Sequence, residues 1–312
     1  MVSVKSGPRP QNLAPRGLTV VEVLVLLMIV SALVLVAMLA LPRQREIARS
    51  VACRRNLMQV GVALALYDRD KGRLPTVPAL VADPIPSGGP LKALLDALVL
   101  TDLTELSDVS TPPPPQPRPG SVAPERPVRG FVCPSDPVTL NGPMFPAPVS
   151  YRGTTGDDPR GLNGGFAPGR TATLQEIEDG DGRSFTAAFS ERLHGRGGVA
   201  RGLGSYQTAA SPVGANGCPD SSDAAPRGDA GASWAEASWR SSLYNHALRP
   251  DASPSCVAAD GASALMGASS AHAGGVNVLM FDGAVRTVSP TVAVPVWRAL
   301  ATTRGTPPME SR

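Results

Sequence analysis

The sequence is poor in aromatic residues, with 6 Phe, 4 Tyr and 3 Trp among 312 positions, and it has only 3 His and 4 Cys. No acid occurs in the first seventeen residues, where Lys5, Arg9 and Arg16 supply the whole formal excess of +3. From residue 18 onward the formal charges therefore balance. A main body without a net positive field sets nucleic-acid binding aside. The chain also has no H-E-x-x-H pair and no G-x-x-x-x-G-K-[ST] loop, and no cysteine pair at C-x-x-C spacing, which disfavours a zinc site. What is plentiful is turn-forming residues: 33 Pro and 32 Gly exclude a single large helical bundle. With 42% apolar and 18% charged residues, the composition is still that of a folded protein.

The longest apolar run is Leu18 to Leu41, in which only Thr19, Glu22 and Ser31 are polar. As a helix it reaches roughly 36 Å at about 1.5 Å per residue, enough for a hydrocarbon core of about 30 Å. It is too long for the apolar core of a secretory signal, and the small residue, Gly17, precedes it instead of following it. The segment Arg16-Gly17-Leu18-Thr19-Val20-Val21-Glu22 resembles the class III leader of type IV prepilins and type II secretion pseudopilins. The resemblance implies cleavage between Gly17 and Leu18, methylation of Leu18, and an assembly role for Glu22 opposite a neighbour's N-terminal ammonium. Phe is usual where Leu18 stands. A carboxylate in an apolar helix costs about 2.5–3.5 kcal/mol at mid-membrane, so it needs a partner or must reach the interface. Basic residues flank the run on both sides, with Arg43, Arg45, Arg49, Arg54 and Arg55 following it. Their count does not fix the topology. The leader resemblance does, placing residues 1–17 in the cytoplasm and the chain after about residue 42 outside it.

No Pro or Gly interrupts residues 43–60, and Ile47, Val51, Leu57, Leu64 and Tyr67 recur near helical spacing. A helix continuing over 42–68 is expected, kinked if anywhere at Pro42, with its arginines on a solvated face or against anionic lipid. Further on come Cys53-Arg54-Arg55-Asn56-Leu57, Phe131 to Pro137, Ser150-Tyr151-Arg152-Gly153, Ile177 to Glu191, and His272 nine residues before Asp282-Gly283. In this order they resemble the extracytoplasmic part of a large prepilin-like bacterial family classed as domain of unknown function 1559.

The expected organisation is a cleaved leader (1–17), a transmembrane helix (18–41), its continuation (42–68) and an extracytoplasmic domain (69–312). Within that domain Leu91 to Leu106 reads as a short helix, 111–127 as a Pro-rich loop and 211–232 as a long surface loop. Val276 to Val288 reads as a terminal hairpin. Asp282-Gly283 between apolar runs predicts a two-residue turn that pairs Leu279 with Arg286 and Met280 with Val285. The fold class is α+β: a long pilin-like helix, half membrane-spanning and half amphipathic, packed on an antiparallel sheet with long loops.

Cys53, Cys133, Cys218 and Cys256 can form one or two disulfides in an oxidising exterior, or remain buried thiols. Three complete connectivities are open, and Cys218 with Cys256 would staple the long loop. His272 and Asp282 invite a catalytic or metal reading, with His194 and Glu191 beside them. A structural hydrogen-bonding role is the plainer expectation, and Ser190-Glu191 lacks a G-x-S-x-G nucleophile context. Asp179-Gly180-Asp181-Gly182 faintly suggests calcium, but the full ligand series is missing. No catalytic residue, metal or cofactor is expected. The expected function is a structural subunit of a type II secretion or type IV pilus-like assembly in the cytoplasmic membrane. Its partners would be prepilin peptidase/methyltransferase, other pilin-like subunits and membrane lipids. A non-polymerising tethered binder, perhaps of polysaccharide, is the alternative.

Overall fold

The computed structural model describes residues 19–100, 127–137, 144–197, 202–209, 213–214, 217–218 and 226–305. The leader, the Leu18 side of the cleavage site and most of the Pro-rich segment 111–127 lie outside them. One helix, α1 (Val20–Lys71), dominates the N-terminal part, and the chain divides into two units within it, at Ile47/Ala48. The helix begins with a reciprocal cap. The Thr19 backbone N–H donates to Glu22 Oε2 at 2.8 Å, and the Glu22 N–H donates back to Thr19 Oγ1 at 3.3 Å. It stops at Gly72, whose φ of +64° suits glycine and whose N–H closes on Asp68 O at 2.6 Å. The helix runs on through residue 42, three residues beyond the predicted end at 68.

In the first unit the apolar side chains of α1, from Val20 to Val36, are exposed. Among the described residues, no helix is long and apolar enough to cross a membrane.

In the second unit α1 buries Cys53, Asn56, Leu57, Val60, Ala63 and Leu64, one face at helical spacing. The expected stripe is corrected here: Ile47 and Val51 are exposed, and the buried face turns about Cys53 and Leu57. The arginines are exposed as expected, although Arg54 Nη2 also donates to the Val285 carbonyl at 3.3 Å.

That face packs on a five-stranded sheet of order β5-β1-β2-β8-β9, comprising β1 (Tyr151–Thr154), β2 (Ala187–Glu191), β5 (Leu243–Tyr244), β8 (Val276–Met280) and β9 (Val285–Val288). Leu279, Phe281 and Val285 join the helix core. Val276, Val278 and Met280 point the other way, to Trp297 on the short helix Val294–Ala299. β8 is buried on both faces, which is why it is apolar at every position but Asn277. The sheet is mixed and not purely antiparallel, because β5 pairs parallel to β1. A second sheet, β4-β3-β6-β7, uses β3 (Tyr206–Ala209), β4 (Pro226–Arg227), β6 (Cys256–Ala258) and β7 (Ala264–Leu265), with β3 parallel to β6. The expected surface loop 211–232 therefore ends in structure: β4 occupies 226–227, and Ala230 and Ala232 are buried. The helix expected at Leu91 to Leu106 is α2 (Pro90–Leu100), and residues beyond 100 lie outside the described part.

The hairpin β8–β9 forms, in a register one residue away from the expected one. Leu279 pairs with Val285 and Val278 with Arg286. The Gly283 N–H donates to Met280 O, and the Met280 N–H to Ala284 O. This is a three-residue loop in which only Gly283, at φ +88°, is left-handed. Asp282 is not left-handed; its carboxylate accepts the Ala284 N–H at 2.8 Å instead.

Candidate functional site

The residue groups picked out in sequence converge at one end of the larger sheet. Cys53 of α1 is disulfide-bonded to Cys133, which follows a 3-10 turn at Arg129–Phe131. Tyr151 of β1 donates its hydroxyl to the Cys53 carbonyl at 3.3 Å and accepts the Asn56 side-chain amide at 3.3 Å. His272, just before β8, places Nε2 3.4 Å from Cys133 Sγ and 3.3 Å from Glu191 Oε1 at the end of β2. Glu191 is held in turn by the Asn277 side-chain amide (3.0 Å), the Asn277 backbone N–H (3.0 Å) and the Ser270 hydroxyl (2.9 Å). Ser270 Oγ also accepts the His272 N–H. Cys53, Cys133, Glu191 and His272 are all buried, and their four potential ligand atoms lie within 4.8 Å of one another.

A second buried pair adjoins it. Asp136 Oδ2 accepts His194 Nδ1–H at 2.6 Å, the His194 backbone N–H at 3.1 Å and the Ser150 hydroxyl at 3.0 Å. Ser150 Oγ in turn accepts the Cys133 N–H at 3.0 Å, which links the two groups. Asp136 and His194 also line a cavity of about 220 Å³. His194 Nε2 has no hydrogen-bond partner among the described residues, and the Ser150 hydroxyl lies on the Nδ1 side, 3.5 Å away. A Ser-His-Asp triad needs the nucleophile on the free nitrogen, so Ser150, His194 and Asp136 do not make one.

Two guanidiniums are buried nearby in sequence. Arg152 donates through Nη1 to the Trp239 carbonyl, while its Nε and Nη2 find no partner among the described residues. Burial, and then repulsion from Arg192, lowers its pKa well below the usual arginine value. Arg192 donates to the Gly267 and Ser205 carbonyls, and burial brings its pKa down to about 10.

The His-x9-Asp-Gly members do not meet. His272 and Asp282 flank β8, whose four residue steps alone cover about 13 Å. The pair is not a catalytic dyad. Asp282 is an exposed turn residue, and Gly283 supplies the positive φ. The acidic turn is also accounted for: Asp181 accepts the Thr302 hydroxyl at 2.6 Å and the Gly305 N–H at 2.8 Å, fixing the C-terminal segment. Cys218 and Cys256 form the second disulfide, so no described cysteine is free. Glu22 sits in the helix cap, and Gly17 and Leu18 lie outside the described residues.

Sequence reasoning passed over Ser270 and Asn277, and also His246, which is buried against Trp297 and Tyr244. None carries a motif. Asp136, Ser150 and Arg152 lie within the segments that resemble the family, where the sequence alone assigns them no role.

A family model described as a protein of unknown function (DUF1559), SBP_bac_10, matches residues 42–294. The chain belongs to the DUF1559 family. The match takes in both disulfides and the whole buried cluster of this DUF1559 protein, and it starts after the apolar segment. No curated protein and no solved structure matches the chain.

Proposed function

We propose that this DUF1559 protein is a membrane-anchored, prepilin- or pseudopilin-like structural subunit of a type II secretion or type IV pilus-like assembly. The observation that carries the reading is the division of labour along α1. Side chains from Val20 to Val36 are exposed and, apart from Glu22 and Ser31, apolar, whereas Cys53 to Leu64 present one face to a folded domain. An apolar helix surface of that kind needs lipid or like helices around it. The proposed span is Leu18 to Leu41, taken from the sequence. The leader of residues 1–17 stays cytoplasmic until prepilin peptidase/methyltransferase cuts after Gly17 and methylates Leu18. The capping contact with Thr19 holds the Glu22 carboxylate at the level of the helix start, where a neighbouring subunit's ammonium can reach it.

Mass spectrometry of the membrane-extracted N-terminus tests the processing. A methylated peptide beginning at Leu18 is expected; an intact Met1, or a cut beyond Leu41, refutes it. Glu22→Ala should abolish incorporation into an assembly while leaving the exterior domain folded.

A second reading, a tethered binding protein that does not polymerise, is favoured by a cavity of about 170 Å³ lined by Tyr206, Trp239, Ser238, Arg227 and Arg240. Its cations are already paired, Arg227 with Asp229 at 2.7 Å and Arg240 with Glu236 at 2.9 Å. The cavity therefore suits a neutral, ring-shaped polar ligand such as a sugar. In that case Glu22→Ala leaves surface level and ligand retention unchanged.

A further inference from the structure

We propose that Cys53, Cys133, Glu191 and His272 form a tetrahedral site for a zinc-class divalent cation once the Cys53–Cys133 disulfide is reduced. The inference does not depend on the assembly role. Four donors of the right chemistry, two sulfurs, an imidazole nitrogen and a carboxylate oxygen, already lie within 4.8 Å of one another in the buried interior. In a tetrahedral zinc site with Zn–S near 2.3 Å and Zn–N or Zn–O near 2.0–2.1 Å, neighbouring donor atoms are roughly 3.3–3.8 Å apart. The Cys133 Sγ–His272 Nε2 separation of 3.4 Å and the His272 Nε2–Glu191 Oε1 separation of 3.3 Å already have that length. Only the two sulfurs must part, which breaking their bond permits.

The same imidazole nitrogen faces both the sulfur and the carboxylate, so its lone pair can point to a centre common to the set. The outer contacts are also those of a built site. Glu191 Oε2 is fixed by Ser270 and the Asn277 backbone, Oε1 accepts one bond from the Asn277 side-chain amide and keeps its second lone pair to ligate, and the Asn277 side chain is itself held by the Thr287 hydroxyl at 2.9 Å.

The redox step balances with a dithiol as reductant. Two electrons and two protons pass to the protein sulfurs, and the dithiol leaves as its own disulfide. Binding of the cation then releases the two thiol protons. Two thiolates and one divalent cation sum to zero, so a site with ionised Glu191 carries one negative charge both as a disulfide and as a metal complex. The surrounding hydrogen bonds meet the same net charge in both states. Either state ties α1 to the segment carrying Cys133, so the cation would keep that cross-link where a disulfide does not survive.

The test is a cobalt(II) titration of the full chain in detergent micelles, with and without a phosphine reductant, read by visible absorption. Expected is one cobalt per chain in the reduced protein, with the intense bands of a tetrahedral thiolate complex, bleached by zinc and absent from the oxidised protein. Cys218→Ser/Cys256→Ser should keep these bands. His272→Asn and Glu191→Gln, which retain both thiols, should shift the bands and weaken binding, and Asn277→Ala should weaken it about 10- to 100-fold. Reduction that loosens the domain, followed by recovery of native circular dichroism on adding zinc, also supports the site. The proposal is overturned if the reduced chain gives no cobalt bands, or if metal fails to restore a fold lost on reduction. It is equally overturned if the bands vanish in Cys218→Ser/Cys256→Ser, or if they are unchanged in both His272→Asn and Glu191→Gln.

Discussion

Replacing His246 by Gln should remove a loss of stability that the wild-type chain undergoes as pH falls below neutrality. His246 is fully buried and its ring stacks on Trp297, with centroids 3.5 Å apart and planes 2° from parallel. Nδ1–H donates to the Trp297 carbonyl at 2.6 Å, and Nε2 accepts the Tyr244 hydroxyl at 2.9 Å, whose oxygen in turn accepts from Thr154. Both nitrogens are thus satisfied in the neutral ring. Burial pushes the His246 pKa down to about 3, the Trp297 carbonyl only partly opposing it. An unfolded chain takes up the proton near pH 6.5. Between those values the unfolded state binds more protons, so stability is complete above about pH 6.5 and declines as pH falls toward 3. From pH 7.5 to 5 the loss from this one group is about 2 kcal/mol, reaching roughly 4 kcal/mol by pH 3.

Urea unfolding of the disulfide-intact full chain, followed by tryptophan fluorescence at several pH values, measures the effect. All three tryptophans lie in the unit that begins at Ala48. His194, His272 and the carboxylates are common to both chains and cancel in the difference. Wild type should lose about 2 kcal/mol more than His246→Gln between pH 7.5 and 5. Parallel loss in the two chains over that interval would refute the reasoning.

Asp136→Ala leaves the His194 Nδ1–H, the His194 backbone N–H and the Ser150 hydroxyl without their acceptor, and should cost about 3–5 kcal/mol in the same urea assay. Gly283→Ala should cost about 1–2 kcal/mol through its positive φ alone, since nothing lies within 4 Å of an added Cβ; Gly283→Asn should lower the thermal midpoint less. Gly165→Ala drives a Cβ into the Phe281 ring, which packs on Phe166, and should cost about 1–3 kcal/mol by urea unfolding.

The parts of the fold legible in sequence were those set by local rules. The absence of breakers over 43–60 and the glycine at 72 define the lower part of α1, and Asp-Gly between apolar runs marks the hairpin. Its register was not legible, because Asp-Gly serves both a two-residue and a three-residue loop. What decides between them is non-local: Phe281 must reach Phe166 in the core. The helix stripe was misread at Val51 because apolar residues are dense enough there to fit more than one face, and only the sheet chooses. The buried cluster was hidden for a different reason. Its donors come from α1, the Cys133 turn, β2 and the approach to β8, so their spacing along the chain carries no metal or disulfide pattern. Buried Arg152 and Arg192 were unforeseeable on composition, since arginine is rarely interior without a charged partner.

The nine residues between His272 and Asp282 acquire a meaning once α1 and β8 are laid side by side. His272 lies against the disulfide of Cys53, while at the other end of the strand the Cα of Gly283 is 3.5 Å from where a side chain on Gly61 would begin. From Cys53 to Gly61 the helix rises about 12 Å, and from Val276 to Met280 the strand advances about 13 Å. The spacing therefore matches a strand to two turns of helix, fastened at both ends, and a reaction between His272 and Asp282 has no part in it. Inserting one residue within 276–280 would turn those of Val276, Val278 and Met280 that lie on one side of the insertion from the Trp297 core toward α1 and displace either His272 or Gly283. The expected outcome is failure to fold, read as protease sensitivity and loss of both disulfides. A native-like, fully cross-linked insertion variant would show that the spacing does not measure the helix.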